Sequence, residues 1–199
     1  MSEDGDEEIK EEIPTLGTYE GERNEAKQRH GKGKNVFVNG DEYDGDYENG
    51  VRSGYGIYKW KGGARYTGEY KNDLRHGQGY FIYPDGSKFR GAFAEGKREG
   101  QGSYLYTNGD IYQGEWRNDM KNGKGVYLYK NGSKKSGIFV DGVLQGPGEI
   151  VHPDHKVSGK WGGNISMDLP VKITFATGFS QEMRDPEFFT GIPPAEAKT

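Results

Sequence analysis

Cysteine is absent from this 199-residue chain, which excludes a disulfide framework and any thiolate metal site. Apolar residues are scarce: 31% of the chain is hydrophobic and the mean hydropathy is −0.99. A compact globule of this length needs a larger apolar core. No apolar run approaches the ~20 residues a membrane-spanning helix requires. The N-terminus is acidic and lacks an apolar stretch, so it does not read as a secretory signal. These absences together predict a soluble intracellular protein. Histidine is rare, with His30 and His76 far apart and His152 and His155 in a degenerate turn. No Ser/His/Asp or paired-carboxylate arrangement stands out, so an enzyme, a cofactor and a metal are all unexpected.

Strong charge of one sign is also missing, since the formal net charge is −4. Its distribution is uneven. Glu3, Asp4, Asp6, Glu7, Glu8, Glu11 and Glu12 face Lys10 alone in residues 1–13, and removing those seven acids and one base from the totals of 31 and 27 leaves 24 and 26. The remainder is close to neutral, and nucleic acid is not an expected partner.

Glycine and tyrosine, by contrast, are abundant, at 34 and 14 residues. They recur. The first glycines of the Gly-x-Gly pairs are Gly31, Gly54, Gly77, Gly100, Gly123 and Gly146, each 23 residues after the last, and Gly33, Gly56, Gly79, Gly102, Gly125 and Gly148 keep the same step. Several independent columns at one period define a repeat architecture. Each unit holds two strand patterns. One is Gly-x-Gly with aromatics two and four places on, as in Tyr58 and Trp60; the other is aromatic-x-Gly-x-aromatic, as in Tyr66/Gly68/Tyr70 and Tyr112/Gly114/Trp116. Asn-Gly or Asp-Gly between them is a strong hairpin cue.

Side chains alternate faces along a strand. The pattern therefore puts Gly54, Gly56, Tyr58 and Trp60 on one face, and Gly77, Gly79, Gly100 and Gly102 likewise beneath neighbouring rings. A missing side chain leaves room for a ring, so one sheet buries aromatic area without a second layer. The predicted fold is all-β: an elongated, twisted, single-layer antiparallel sheet of stacked hairpins, in which each unit contacts only its neighbours. The expected organisation is an acidic disordered segment over 1–16, about six repeats over 17–161, and a closing strand with an apolar, proline-containing tail over 162–199.

Three features are candidates for partner binding. Ile82, Leu105, Leu128 and Val151 form an aliphatic column on the opposite, mixed face, either a docking stripe or a shield behind the sheet. Arg29, Arg52, Arg75, Arg98 and Lys121 form a basic column, either an edge facing an acidic partner or anionic lipid, or a solvated row partly paired with carboxylates. An acidic column, Glu22, Asp46, Glu69 and Glu115, is broken by Ala92 and Ile138. Phe188 and Phe189, with Ile192-Pro193-Pro194 beyond, suggest a tail that docks onto a partner or a second copy.

The unit Tyr-x-Gly-x-aromatic, Gly-x-Gly, Asn/Asp-Gly resembles the MORN repeat (membrane occupation and recognition nexus). A closer likeness runs through Gly17 to Gly33, Gly63 to Tyr70 and His76 to Ser87, including the non-repeat residues Arg23-Asn24-Glu25. These stretches resemble the radial spoke head 1 family of motile cilia. The resemblance implies a non-catalytic structural subunit of the radial spoke head in the axoneme, among other spoke-head proteins. The alternative, suggested by the repeat's name, is a module for anionic membrane surfaces. A regulatory array beside an enzyme domain is a third reading, with no catalytic residues here to support it.

Overall fold

The computed structural model describes residues 17–163 and 167–184, with the side chains of 167–169 excepted. The segment over 1–16, Phe188, Phe189 and the prolines after them lie outside the described residues. There is no helix among the described residues. The strands are β1 (Thr18–Arg23), β2 (Arg29–Val36), β3 (Glu42–Glu48), β4 (Val51–Lys59), β5 (Arg65–Lys71), β6 (Leu74–Ile82), β7 (Lys88–Ala94), β8 (Lys97–Leu105), β9 (Ile111–Arg117), β10 (Met120–Leu128), β11 (Lys134–Val140), β12 (Val143–Val151), β13 (His155–Gly162), β14 (Met167–Phe175) and β15 (Ser180–Met183). Their hydrogen-bonding order is their order in the chain, in a single 15-stranded sheet. The chain divides into two compact units, Met1–Gly102 and Ser103–Thr199, described in turn.

In the first unit, the turn at Asn39-Gly40 closes with Phe37 N–H donating to the Asp41 carbonyl and Gly40 N–H to that of Phe37. The turn at Asp85-Gly86 repeats this bonding through Tyr83 and Ser87. The alternate connections are two-residue loops with both residues at positive φ, Asn72 at 51° and Asp73 at 66° for example. That is the type I′ geometry whose twist suits a hairpin. Glycines face one another across the ladder, Gly45 with Gly56, Gly56 with Gly68, Gly68 with Gly79 and Gly79 with Gly91. A bare stripe thus crosses the strands, flanked by rings. Tyr43, Tyr66, Phe81 and Phe89 are fully buried. Tyr66 and Tyr43 pack edge-on: Tyr66 meets Tyr70 at 5.2 Å and Phe93 at 5.2 Å, while Tyr43 meets Tyr47 at 5.1 Å and Tyr70 at 5.3 Å. Edge-to-face pairs at this distance add about 0.5–1.5 kcal/mol beyond area burial. Each such ring touches one ring of its own repeat and one of the next, so the contact that fills the core also joins the repeats.

The second unit begins in the same pattern, with Gly114 facing Gly125 and Tyr112 edge-on to Trp116 and Phe139. Then rings give way to aliphatics. Leu144 and Val171 are fully buried, and Trp161 is 7% exposed. The stretch Val171 to Phe175 lies in β14, paired to β13, and β15 pairs outside it. Among the described residues the outermost strand at this end is the short β15, and Val171 to Phe175 is an interior strand.

Candidate functional site

The two glycines of each Gly-x-Gly have different tasks. A Cβ on Gly79 would lie 2.5 Å from the Tyr66 ring, and one on Gly56 2.3 Å from the Tyr43 hydroxyl. Gly125 stands in the same way under Tyr112. The hydroxyl above then finds a backbone acceptor: Tyr43 donates to the Asp46 carbonyl at 2.9 Å, Tyr66 to that of Glu69 at 3.0 Å and Tyr112 to that of Glu115 at 3.1 Å. Burial pushes the Tyr43 and Tyr112 phenols well above the ordinary tyrosine range and that of Tyr47 up to about 12. Tyr43 and Tyr112 are therefore neutral hydrogen-bond donors at physiological pH, while the buried Tyr47 hydroxyl has no partner among the described residues.

Gly54 and Gly77 depart from the expectation that they sit under rings. The ladder is irregular beside them, between Gly45 and Tyr47 and between Gly68 and Glu69. Gly54 takes φ 79° and Gly77 φ 57°. Their Cβ positions turn toward carboxylates, Asp46 at 3.0 Å and Glu69 at 2.4 Å, rather than toward rings. The reason is the bulge, which rotates the backbone out of the simple two-residue alternation. In the first unit each carboxylate caps the N–H that follows its glycine: Glu22 accepts from Lys32 at 3.0 Å, Asp46 from Tyr55 at 2.9 Å and Glu69 from Gln78 at 2.8 Å. Glu115 does the same for Lys124 in the second unit. The acidic column of the sequence is thus a row of bulge caps, an arrangement the regular alternation of Gly54, Gly56 and Tyr58 gave no sign of. Gly100, at φ 78°, has only Ala92 nearby, its Cβ 3.6 Å away.

The basic column does not form a free row. Arg52 is 7% and Arg98 3% exposed. Arg52 lies over Tyr43, Tyr58 and Tyr70, donating to the Asp73 carbonyl at 2.8 Å and to its carboxylate at 3.0 Å. Arg75 lies over Tyr66, Phe81 and Phe93 and donates to the Gly96 carbonyl. Arg98 lies over Phe89. In the second unit Lys121 takes the place beside Tyr106, Tyr112 and Tyr127. Arg52 and Arg75 sit on ring faces and bond the loop of the following repeat, so they staple successive hairpins, whereas the Lys121 ammonium donates to the Tyr106 hydroxyl. Sequence spacing placed these residues near the loops but carried no sign of their inward direction.

The aliphatic column is only partly covered. In the first unit Ile82 is half-buried, in register with Arg65 and Lys88. In the second, Leu105 is exposed, Leu128 pairs with Ile111 and Lys134, and Val151 with Lys134 and Lys156. His152 stacks on His155, and His155 bonds Asp154. Among the described residues no group of three His, Cys, Asp or Glu side chains could hold a metal ion.

Hairpins in chain order, with an aromatic face built over glycines, define a class of thin repeat sheets. The MORN repeat profile matches residues 26–42, 43–65, 66–88, 89–111, 112–134 and 136–157. The chain belongs to the MORN-repeat family. It is similar to "Radial spoke head 1 homolog" of Cyprinus carpio, 59% identical over 49 residues, covering 25% of this chain and 22% of that protein. The protein of the same name from Mus musculus is 57% identical over 49 residues, covering 24% of this chain and 16% of its own length. The matched stretch is thus a minor part of these relatives. Among solved structures, the TCP domain of SAS-4 (dCPAP) of Drosophila melanogaster, in complex with a proline-rich motif of Ana2 (dSTIL), aligns with a TM-score of 0.53 at 12% identity over 84% of this chain and 90% of that one. That likeness concerns the fold alone.

Proposed function

We propose that this chain is a non-catalytic scaffold subunit of the radial spoke head in motile cilia, holding neighbouring spoke-head proteins, or a second copy of itself, through its repeat sheet. The observation that carries the reading is the identity of 57–59% over 49 residues to proteins named Radial spoke head 1 homolog. The architecture supports it, since a sheet one layer thick offers the face opposite its buried rings to other proteins. On this reading the domains are those of the sequence: an acidic lead, the repeat sheet and an apolar tail that docks. The chain's place is then the axoneme. Tagged full-length chain, expressed in a ciliated cell, is expected to stay with axonemes after detergent extraction. A pool released entirely with the soluble fraction would overturn the proposal.

The anionic-lipid reading drew on the basic column, and Arg52 is buried against rings and the Asp73 carbonyl while Arg98 is buried against the Phe89 ring. They are not positioned to meet headgroups. Flotation with phosphatidylserine vesicles at physiological salt is expected to leave the chain at the bottom of the gradient.

A further inference from the structure

The face of the first unit opposite the glycines carries an incomplete constellation. Arg65, Ile82 and Lys88 lie in register across β5, β6 and β7, and Thr67, Tyr80 and Arg90 form the next row. Tyr80 is 37% exposed. Lys34 and Lys59 nearby both approach Glu42. Arg65, Lys88 and Arg90, by contrast, have no carboxylate partner among the described residues. One residue pair further along β7 stands Ala92, in the column where Asp46 and Glu69 supply bulge caps. There the cap is missing: a Cβ on Gly100 would meet the Ala92 methyl at 3.6 Å, and among the described residues no side chain caps the Gln101 N–H. The column's other gap is resolved differently. Ile138 is in register with Gln145, and the residue after Gly146 is Pro147, which has no N–H to cap. Within the acidic column, the bulge at Gln101 keeps its donor and loses its carboxylate.

We propose that this face binds an extended acidic segment of a partner protein, one of whose carboxylates completes the vacant cap. Lys88, Arg90 and the Ala92 position stand on alternate residues of one strand, about 6.6 Å apart. A peptide lying along β7 with Asp or Glu at every second residue presents carboxylates at the same interval. One accepts from the Gln101 N–H, as Glu69 does from Gln78 at 2.8 Å; the next two face Arg90 and Lys88. Tyr80 and Ile82 provide the apolar floor. The vacancy is shaped for a carboxylate on a short stem with a defined neighbour spacing, which favours protein over an anionic lipid surface. This deepens the scaffold reading and rests on it, giving the chemistry of one neighbour.

The test uses purified full-length chain and a fluorescein-labelled ten-residue peptide alternating Glu and Thr, with its Gln-for-Glu counterpart as control. The Glu peptide is expected to bind at least tenfold more tightly than the Gln peptide. Ala92→Glu fills the cap in cis and is expected to weaken Glu-peptide binding about tenfold while preserving or raising Tm; Arg90→Glu is expected to abolish binding. If Ala92→Glu misfolds, Gln101→Pro removes the donor instead, as Pro147 does naturally, and the same loss is expected. Equal binding of the two peptides, or unchanged binding in a folded cap variant, overturns the proposal. So does a Glu peptide that binds only after the acids of residues 1–13 are changed to their amides, because the occupant is then the chain's own terminus. Vesicles of phosphatidylserine that bind through Arg90 while the peptide does not would likewise overturn it. A chain that stays on axonemes but ignores the peptide sinks this inference alone; one that binds the peptide but washes off axonemes sinks the scaffold reading.

Discussion

Gly77 and Gly79 stand two residues apart and are glycine for different physical reasons. Gly79 is empty space: any Cβ there would lie 2.5 Å from the Tyr66 ring, and the ring is trapped between Tyr70 and Phe93. Gly79→Ala is expected to cost roughly 1–3 kcal/mol by overpacking, read as a lower denaturation midpoint. Gly62→Ala is the control, because nothing lies within 4 Å of a Cβ there, and its midpoint is expected to stay unchanged. Gly77 is instead a matter of backbone conformation, at φ 57° beside the Glu69 carboxylate. Asn35 shows the opposite imbalance. It is fully buried at a position where later repeats have rings, and both its amide atoms lack a hydrogen-bond partner. Asn35→Leu is expected to raise stability by about 1 kcal/mol, since it removes an unmet polar group at similar volume. A lower melting temperature in that variant would show that the amide has a partner not evident in the chain itself.

At the scale of the hairpin, the arginine staple is what distinguishes one repeat's join from mere strand pairing. Arg52 combines three ring faces with two bonds to Asp73. Lysine cannot reproduce this, because it is a point charge without the planar fork. Arg52→Lys is expected to lose about 1–2 kcal/mol, the value of a desolvated cation on aromatic faces with its charged hydrogen bonds. The bulge cap gives a pH dependence. Burial alone would raise the Asp46 carboxyl, but its bond to Lys32 and the Tyr55 N–H outweigh that and hold it below the usual carboxylate range. A depressed folded value means that the unfolded chain binds the proton more readily. The contribution is therefore complete above about pH 4, the ordinary Asp value, and disappears as the pH falls through the lower folded value. Urea melts of wild type are expected to weaken more steeply from pH 5 to pH 3 than those of Asp46→Asn. Parallel profiles would show that the cap is unpaired in solution.

For the whole molecule, every strand pairs only with its neighbours in the sequence. Stability then propagates by nearest-neighbour terms rather than through one shared core. Val171→Ala removes a fully buried side chain from β14. It is expected to speed amide exchange in β13 to β15 and leave β3 to β6 at wild-type protection. Uniform acceleration along the chain would mean that the repeats unfold as one cooperative body.

The sequence by itself determined the period, the hairpins, the chain-order sheet and the pairing of glycine with ring. A 23-residue step repeats one local geometry, and strand pairing between neighbours needs no long-range information. Only the tertiary structure decided which way the charged columns point. Arg52 looks like a surface residue because charge normally seeks water, and the exposed Glu69 gives no hint in the sequence that its carboxylate bonds a backbone N–H. The bulge at Gly54 and Gly77 turns the backbone, giving the carboxylates an N–H to cap, and the row of rings gives the guanidinium groups a face to lie on. Both arrangements depend on atoms from an adjacent strand or the following repeat, and a single strand's alternation cannot express them.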